Sequence, residues 1–588
     1  MYLWFRGLLN LKSRVYVIKS KFYNSTFRFL KRMEDPPLFI FKVFEGDEYF
    51  MVTFRLKDEK VDREFNFSRK ITESATDFLG VISHKIDKIK EKKSKKKKMN
   101  QEIKLEPSPV FFLQDKEKID IINENALDLL SQKSISMDIC GSIFTVRKNP
   151  PFVETLKLSD RIMVDFPCYP SKFEMSFGTR ESSIFNWYTS ESSQTQKKWT
   201  LVQGNSFLYT PSSNDVGRFV KLEVIPRDGN QTAGRTVEIV SKNAVDPGPG
   251  YCPFQRRHEY TDSITNESTC RVVSYNLLAD LYADSVYSRT VLFPSCPPFA
   301  LSIDYRKQMI LRELKGYHGD IICLQEVDRK VFKYDLLPIL SEVGFNGVFE
   351  TKGGDLSEGL ACFWRESKFD LLNSQVNVIN EMLKGNDETW NDIRNAIQAK
   401  PELKESIMKR KTAFLTVLLQ PKNTSGTKKP PLLIGITHLL FLPEADHIRL
   451  IQAEICLRHM CKLLKETHGH LIFCGDFNSV PTNAVYEYFL GGKITTNHAD
   501  WKSCPGQEVE GINLSHNLSL ESGCGTPKYT NYTLKFKDCL DYVFFDTRAF
   551  SVDKVIPFPT IEELGEAIPN PHFPSDHIAC VVDLKWKV

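Results

Sequence analysis

The chain has 588 residues, enough for two or three domains, with an ordinary globular balance of 41% apolar and 26% charged residues. Its formal net charge of +4 is uneven: residues 1–33 carry eight Lys or Arg and no Asp or Glu, which leaves the remainder at about −4. That excludes capture of a polyanion by a uniformly basic surface; such a substrate must be drawn in locally, by a bound cation or a few placed charges.

From the N-terminus, residues 1–33 alternate apolar residues with Arg and Lys, and Ser13, Ser20, Ser25 and Thr26 are interspersed. No apolar run there is long enough to cross a bilayer, and basic residues recur throughout instead of preceding one apolar core. This pattern predicts a mitochondrial transit peptide and a protein of the mitochondrial matrix, without membrane insertion. Residues 36–137 contain strand-like runs at 39–44 and 50–56. The Lys-dense stretch 85–98 is expected to be a solvated loop, because a block of like charges repels itself. Residues 138–245 predict a β-sandwich. Val220, Leu222 and Val224 alternate with Lys221 and Glu223, and turn signals recur at 211–215 and 227–230. Trp187, then Tyr209, then the Asp215-Val216-Gly217 turn follow the order of an immunoglobulin-like domain lacking its disulfide. DPGPG at 246–250 marks a linker over 246–257. Fourteen cysteines without a CxxC pair, several inside apolar runs, predict free thiols, no disulfides and no structural zinc.

Over 258–588 apolar runs at 271–276, 320–326, 432–438, 471–478, 540–545 and 577–584 alternate with helical segments such as 305–318 and 447–464. Buried strands alternating with helices predict a layered α/β catalytic domain. The runs are bounded by Asn276, Glu326, His438, Asp476 with Asn478, Asp541, and the pair Asp576–His577. A carboxylate at the end of a core strand is costly to bury. Several of them predict one rim converging on a cation, and oxygen donors without Cys suit a hard ion such as Mg²⁺.

SYNLLAD (274–280), CLQEVD (323–328), EGLACFW (358–364), THL (437–439), CGDFNSVP (474–481), TNYT (530–533), LDYVF (540–544) and SDH (575–577) follow one another in order. This ordered set resembles the endonuclease/exonuclease/phosphatase superfamily. The insertion at 287–306 resembles its deadenylase branch, and within that branch the mitochondrial 2′,5′-phosphodiesterases. The resemblance covers essentially all of 258–588. It implies a four-layer α/β sandwich with two central mixed sheets flanked by helices, preceded by a β-rich, immunoglobulin-like N-terminal region. It further implies a Mg²⁺-dependent 3′-end exoribonuclease that cleaves 2′,5′-linked oligoadenylate and the poly(A) tails of mitochondrial RNA, releasing AMP. The implied partner is single-stranded, adenylate-rich RNA.

Site roles follow from the same resemblance. Glu326 is the principal metal ligand, with Asn276, Asp476 and Asn478 beside it and Asp576 at a second metal. Asp476 accepts a proton from the attacking water, which Asn478 orients. His577 donates to the scissile phosphate, Asp541 holds its ring, and His438 contacts the phosphate from the other side. Phe536 and Pro443 sandwich a base, while Asn531, Arg449 and Glu358 contact or support substrate. The charged insertion 383–411 is expected to be helical and solvated. Competing readings are a phosphatase or DNA-repair endonuclease on the same fold, a general poly(A) deadenylase, and a noncatalytic RNA-binding scaffold.

Overall fold

The computed structural model describes residues 37–58, 61–96, 106–194, 197–353, 356–422 and 429–587, so the transit-like segment 1–33 lies outside the described residues. Two compact units are formed. One runs to Phe152 and adds Met175–Ser183 and Glu223–Ile239; the other comprises Val153–Glu174, Ile184–Leu222 and Val240–Val588.

In the first unit a seven-stranded sheet has the order Asp62–Lys70, Tyr49–Lys57, Leu38–Lys42, Ser142–Lys148, Ile135–Ile139, Val110–Gln114, Glu117–Lys118. Alternation puts Phe39, Phe41, Phe50, Val52 and Phe54 in one core with Phe112 and Phe144. The helix Ala75–Lys96 belongs to the same core through Phe78, Leu79, Ile82 and Ile86. The solvated loop expected at 85–98 is therefore corrected to helix as far as Lys96; 97–98 lie outside the described residues. Ile86 and Ile89 continue the stripe begun by Phe78, and packing that stripe outweighs repulsion among lysines such as Lys88 and Lys92, which stay exposed. Of the expected sandwich at 138–245, the first strand belongs to this seven-stranded sheet, and Thr200–Gln203, Thr179–Ser190, Phe219–Arg227 and Val237–Val240 form, in that order, a four-stranded sheet.

The second unit contains two six-stranded sheets. The first has the order Phe345–Thr351, Glu358–Arg365, Ile321–Asp328, Thr269–Asn276, Cys580–Trp586, Phe550–Val555. The second has the order Phe369–Val378, Ala413–Pro421, Leu432–His438, His470–Asp476, Asp541–Asp546, Leu520–Ser522. Each has a parallel central pair flanked by antiparallel strands. The parallel pairs are linked through the helices Ile303–Gly316 and Asp446–Thr467. Period-2 alternation assigns the layers. Val417, Ile434, Ile436, Ile472, Cys474, Val543 and Phe545 meet Val272, Ile321, Cys323, Cys362 and Val582 between the sheets. Their alternates Leu433, Leu471, Phe473, Tyr542 and Phe544 pack outward against Ile448, Ile451 and Ile455 of the long helix and Tyr488 and Phe489 of Ala484–Gly491. Strands buried on both faces explain the near-continuous apolar runs. All fourteen cysteines are free thiols.

Two expectations change here. The linker 246–257 is packed: Cys252 and Phe254 join a core with Leu278, Leu301 and Met309, and Arg257 donates to Pro557 O, Tyr317 Oη and Ala579 O. The insertion 383–411 is helical at Asn391–Gln398 and Pro401–Met408 but not simply solvated, since Trp390, Ile393, Ile397, Leu403 and Ile407 enter the outer core.

Gly475 makes the closest approach to neighbouring backbone in the second sheet: a Cβ there would lie 2.3 Å from the carbonyl oxygen of Thr437, its register partner. Gly475→Ala is expected to destabilise the protein by about 1–3 kcal/mol and to lower activity by separating His438 from Asp476. Denaturant midpoints at unchanged m-value check it; an unshifted midpoint refutes it.

Candidate active site

The register of the second sheet places three functional side chains in a row. His438 pairs with Asp476, and Asp476 pairs with Asp541. Across Asp541 stands His577, from the segment before Cys580–Trp586, with Nδ1 2.7 Å from Asp541 Oδ2 and Nε2 3.5 Å from Asp476 Oδ2. His438 Nε2 lies 3.6 Å from the same Asp476 oxygen.

The first sheet contributes Asn276 at a strand end and Glu326 from the neighbouring strand. Glu326 sits on a bulge: Leu324 faces Ala361 and Val327 faces Gly359, so the strand carries one extra residue there. Its φ of 53° is left-handed, as is the 47° of Asn478, and such backbone strain concentrates at functional sites. Asn276 ties the two sheets together, its Nδ2 donating to Glu326 Oε1 at 3.1 Å and to Asp476 Oδ2 at 3.0 Å. Its Oδ1 accepts from Leu278 N, so the amide orientation is fixed and its oxygen is already engaged. Asn276 thus holds the Glu326 and Asp476 carboxylates in place. Asn478 donates Nδ2 to Leu439 O and its backbone N to Asp476 Oδ1, which leaves Oδ1 as its available oxygen.

Several further residues position the site. Thr530 Oγ1 accepts from the backbone N–H groups of Leu540 and Asp541. Ser575 Oγ donates to Asn276 O and accepts from His577 N, which gives the serine of SDH a physical task. Arg306, fully buried, donates Nη1 to Leu277 O, Leu278 O and Pro574 O and so clamps the loops after Asn276 and before Asp576. Lys352 Nζ lies 3.1 Å from His438 Nδ1 and 2.9 Å from Glu358 Oε1.

The substrate residues divide. Phe536 is exposed at the turn between Asn531–Tyr532 and Lys537–Asp538, and Pro443 is exposed in the loop after Leu439. Asn531 is buried, bridges to His577 through the backbone, and reaches Asp576 Oδ2 at 3.5 Å. Glu358 is buried beside Lys352. Arg449 is corrected from a phosphate contact to an internal one. Its buried guanidinium donates to Leu440 O, Leu442 O and Asp446 Oδ1, shaping the loop that carries Pro443.

Electrostatics separates the roles. Burial pushes the Asp476 carboxyl up to about 7, His577 opposing and Asp541 adding to the rise. Burial, with Asp576 next, raises Glu326. Burial works against charge on His577, but Asp541 and then Asp476 hold its imidazolium well above the ordinary histidine value. His438 is driven well below that value by burial and then by Lys352. Oδ1 of Asp541, Oδ1 of Asp576 and Oε2 of Glu358 are buried without a hydrogen-bond partner among the described residues.

Crowded carboxylates with unsatisfied oxygens fit a hard divalent cation. Asp476, Asp541 and His577 bring ligand atoms within 4.8 Å of one another. His577 Nδ1, however, is committed to Asp541, and its positive charge repels a cation. Glu326, Asp476 and Asn478 Oδ1, with Asp576 as the further carboxylate, are the better donors.

Asp476→Asn is expected to raise the thermal midpoint of chelator-treated protein at pH 8, and by less at pH 5. The folded-state value, about 7, exceeds the unfolded one, so ionisation weakens the fold increasingly as pH climbs from about 4 toward that value. An unchanged or lower midpoint at pH 8 contradicts this.

A family model for the "Endonuclease/Exonuclease/phosphatase family" matches residues 273–577, and one for the "2′,5′-phosphodiesterase 12-like, N-terminal domain" matches 150–246. The human protein "2′,5′-phosphodiesterase 12" is 38% identical over 506 residues, covering 82% of this chain and 82% of that one. "Carbon catabolite repressor protein 4 homolog 1" of Arabidopsis thaliana is 28% identical over 437 residues, 66% of this chain and 71% of that one. A crystal structure of ANGEL2, a 2′,3′-cyclic phosphatase, covers 54% of this chain and 96% of its own at 23% identity and a TM-score of 0.44.

Proposed function

The chain belongs to the endonuclease/exonuclease/phosphatase family, and from that membership together with the site's geometry we propose that it hydrolyses 2′,5′-linked oligoadenylate and the 3′ ends of poly(A), releasing AMP. The observation that carries this reading is the shared focus of Glu326, Asp476 and His577. Two sheets that pack on one core bring these side chains together through Asn276 and through the His577–Asp476 contact.

A phosphodiester is anionic and gains charge on its oxygens as water attacks, so a carboxylate site needs compensation. Mg²⁺ is the ion proposed for the Glu326 side, where it would neutralise the phosphate and the leaving oxygen. Asp476, on the rim shared with His577, accepts the proton of the attacking water as general base. The His577 imidazolium aims Nε2 at the same point and donates to a phosphate oxygen; Asp541 fixes the ring and balances its charge. Exposed Phe536 provides a face for an adenine, with Pro443 as the opposing wall. Base stacking is worth roughly 1–3 kcal/mol and tolerates different bases, so Phe536 supplies affinity rather than linkage choice. The basic, acid-free leader 1–33 supports action in the mitochondrial matrix.

Purified protein incubated with 2′,5′- and 3′,5′-linked triadenylate, with Mg²⁺ or chelator, tests the reading. AMP is expected only with the metal, and Glu326→Ala is expected to abolish its release while leaving the thermal midpoint near that of the wild type. Cleavage that survives chelation or this substitution would overturn the proposal. Phe536→Ala is expected to raise KM for oligoadenylate roughly 5- to 100-fold with kcat little changed. Steady-state kinetics decides this, and a loss confined to kcat would rule out stacking there.

A further inference from the structure

Lys352 follows the edge strand Phe345–Thr351 of the first sheet, yet its side chain is almost wholly buried beside the functional row of the second. Its ammonium group meets Glu358 Oε1 at 2.9 Å and His438 Nδ1 at 3.1 Å. Glu358 is in turn fixed: its strand position pairs with Asp328, and Tyr282 Oη donates to the same Oε1 at 3.4 Å. A continuous line of contacts thus runs from the half-exposed Tyr282 through Glu358, Lys352 and His438 to Asp476.

An ammonium has three donors and no acceptor, so the histidine nitrogen it meets must offer a lone pair. A neutral imidazole has one such nitrogen, and the proton then resides on the other. For His438 that other nitrogen is Nε2, which lies 3.6 Å from Asp476 Oδ2; on the Nδ1 side Glu326 Oε1 stands farther off, at 3.9 Å, and Lys352 Nζ at 3.1 Å is the nearer partner. We propose that Lys352 is a positioning residue that holds His438 in its Nε2–H tautomer, so that the ring presents a donor to the Asp476 rim and to the phosphate bound there. The direction toward phosphate rests on the phosphodiesterase reading; the tautomer does not. With the proton on Nδ1 instead, the Nε2 lone pair would face a carboxylate and an anionic substrate, and the ring would repel what it now holds. Lys352 therefore acts through His438, and Glu358 acts through Lys352 as its counter-ion.

The test uses the full-length protein labelled with ¹⁵N-histidine in chelator at neutral pH, with the His438 signals identified by their loss in His438→Gln. Wild-type protein is expected to show a lone-pair Nδ1 and a protonated Nε2. Lys352→Met is expected to shift these signals toward the Nδ1–H form and to lower kcat roughly 10- to 100-fold with KM little changed. Lys352→Arg keeps a donor-only cation and should retain the wild-type signature and recover most of kcat. If Lys352→Met folds poorly, Lys352→Gln, whose amide can donate or accept, should give a mixture of tautomers. A wild-type Nδ1–H signal, tautomer signals unmoved by loss of the lysine, or a defect carried by KM alone would overturn the assignment. The tautomer signals are read in chelator without substrate or turnover. The spectroscopic arm therefore still reads if the proposed activity itself is absent.

Discussion

Five acidic side chains, Glu326, Glu358, Asp476, Asp541 and Asp576, lie close around the ends of two packed sheets, and three of them, Glu358, Asp476 and Asp541, are almost fully buried. Left alone they would repel one another and lose their hydration, a combination no fold tolerates without compensation. Compensation is apportioned locally. Asp541 takes His577, Glu358 takes Lys352, and the amide of Asn276 serves Glu326 and Asp476 together. What remains is a deficit of positive charge on the Glu326 side. The site is thus built to be completed by something brought from outside; burial first, and neighbouring carboxylates after it, raise the proton affinities of Glu326 and Asp476.

The sheets convert this electrostatic problem into a geometric one. Neighbouring strands in register set His438, Asp476 and Asp541 side by side, and side chains between the sheets fix how far the Glu326 strand stands from them. Small polar residues then hold the loops: Thr530 on the Asp541 turn, Ser575 between Asn276 and His577, and Arg306 on three carbonyls at once. None of these touches the reacting atoms in the proposed reaction, yet each determines where such an atom can be placed.

Much of this was legible in the amino-acid sequence, for a physical reason. Strands buried on both faces read as apolar runs, and a polar residue bounding such a run stands out, as Asn276, Glu326, His438, Asp476 and Asp541 do. Lys352 could not be found this way. It is one lysine in an unremarkable TKGG segment, and its importance lies in the partners that folding brings to it. Arg449 misled for the opposite reason: an arginine near a site suggests an anion, whereas here backbone carbonyls of its own loop consume the guanidinium. In the stretch after Ile82 a block of lysines hides the isoleucine stripe beneath it, and that stripe packs the segment as a helix. The functions assigned to the buried row nevertheless depend on contacts that only the folded chain displays.

The bulge at Glu326 has a consequence for how this protein can vary. The carboxylate faces the rim because its strand is one residue longer than the strand opposite, between Leu324 and Val327. Chain length at that point, and not only the identity of the side chain, aims the acid. Losing a single residue there would restore regular pairing, a gain in local order, and at the same stroke turn the glutamate away. Natural variation should therefore tolerate changes of type around this kink far better than changes of spacing, and a shortened copy could fold well and still be inert.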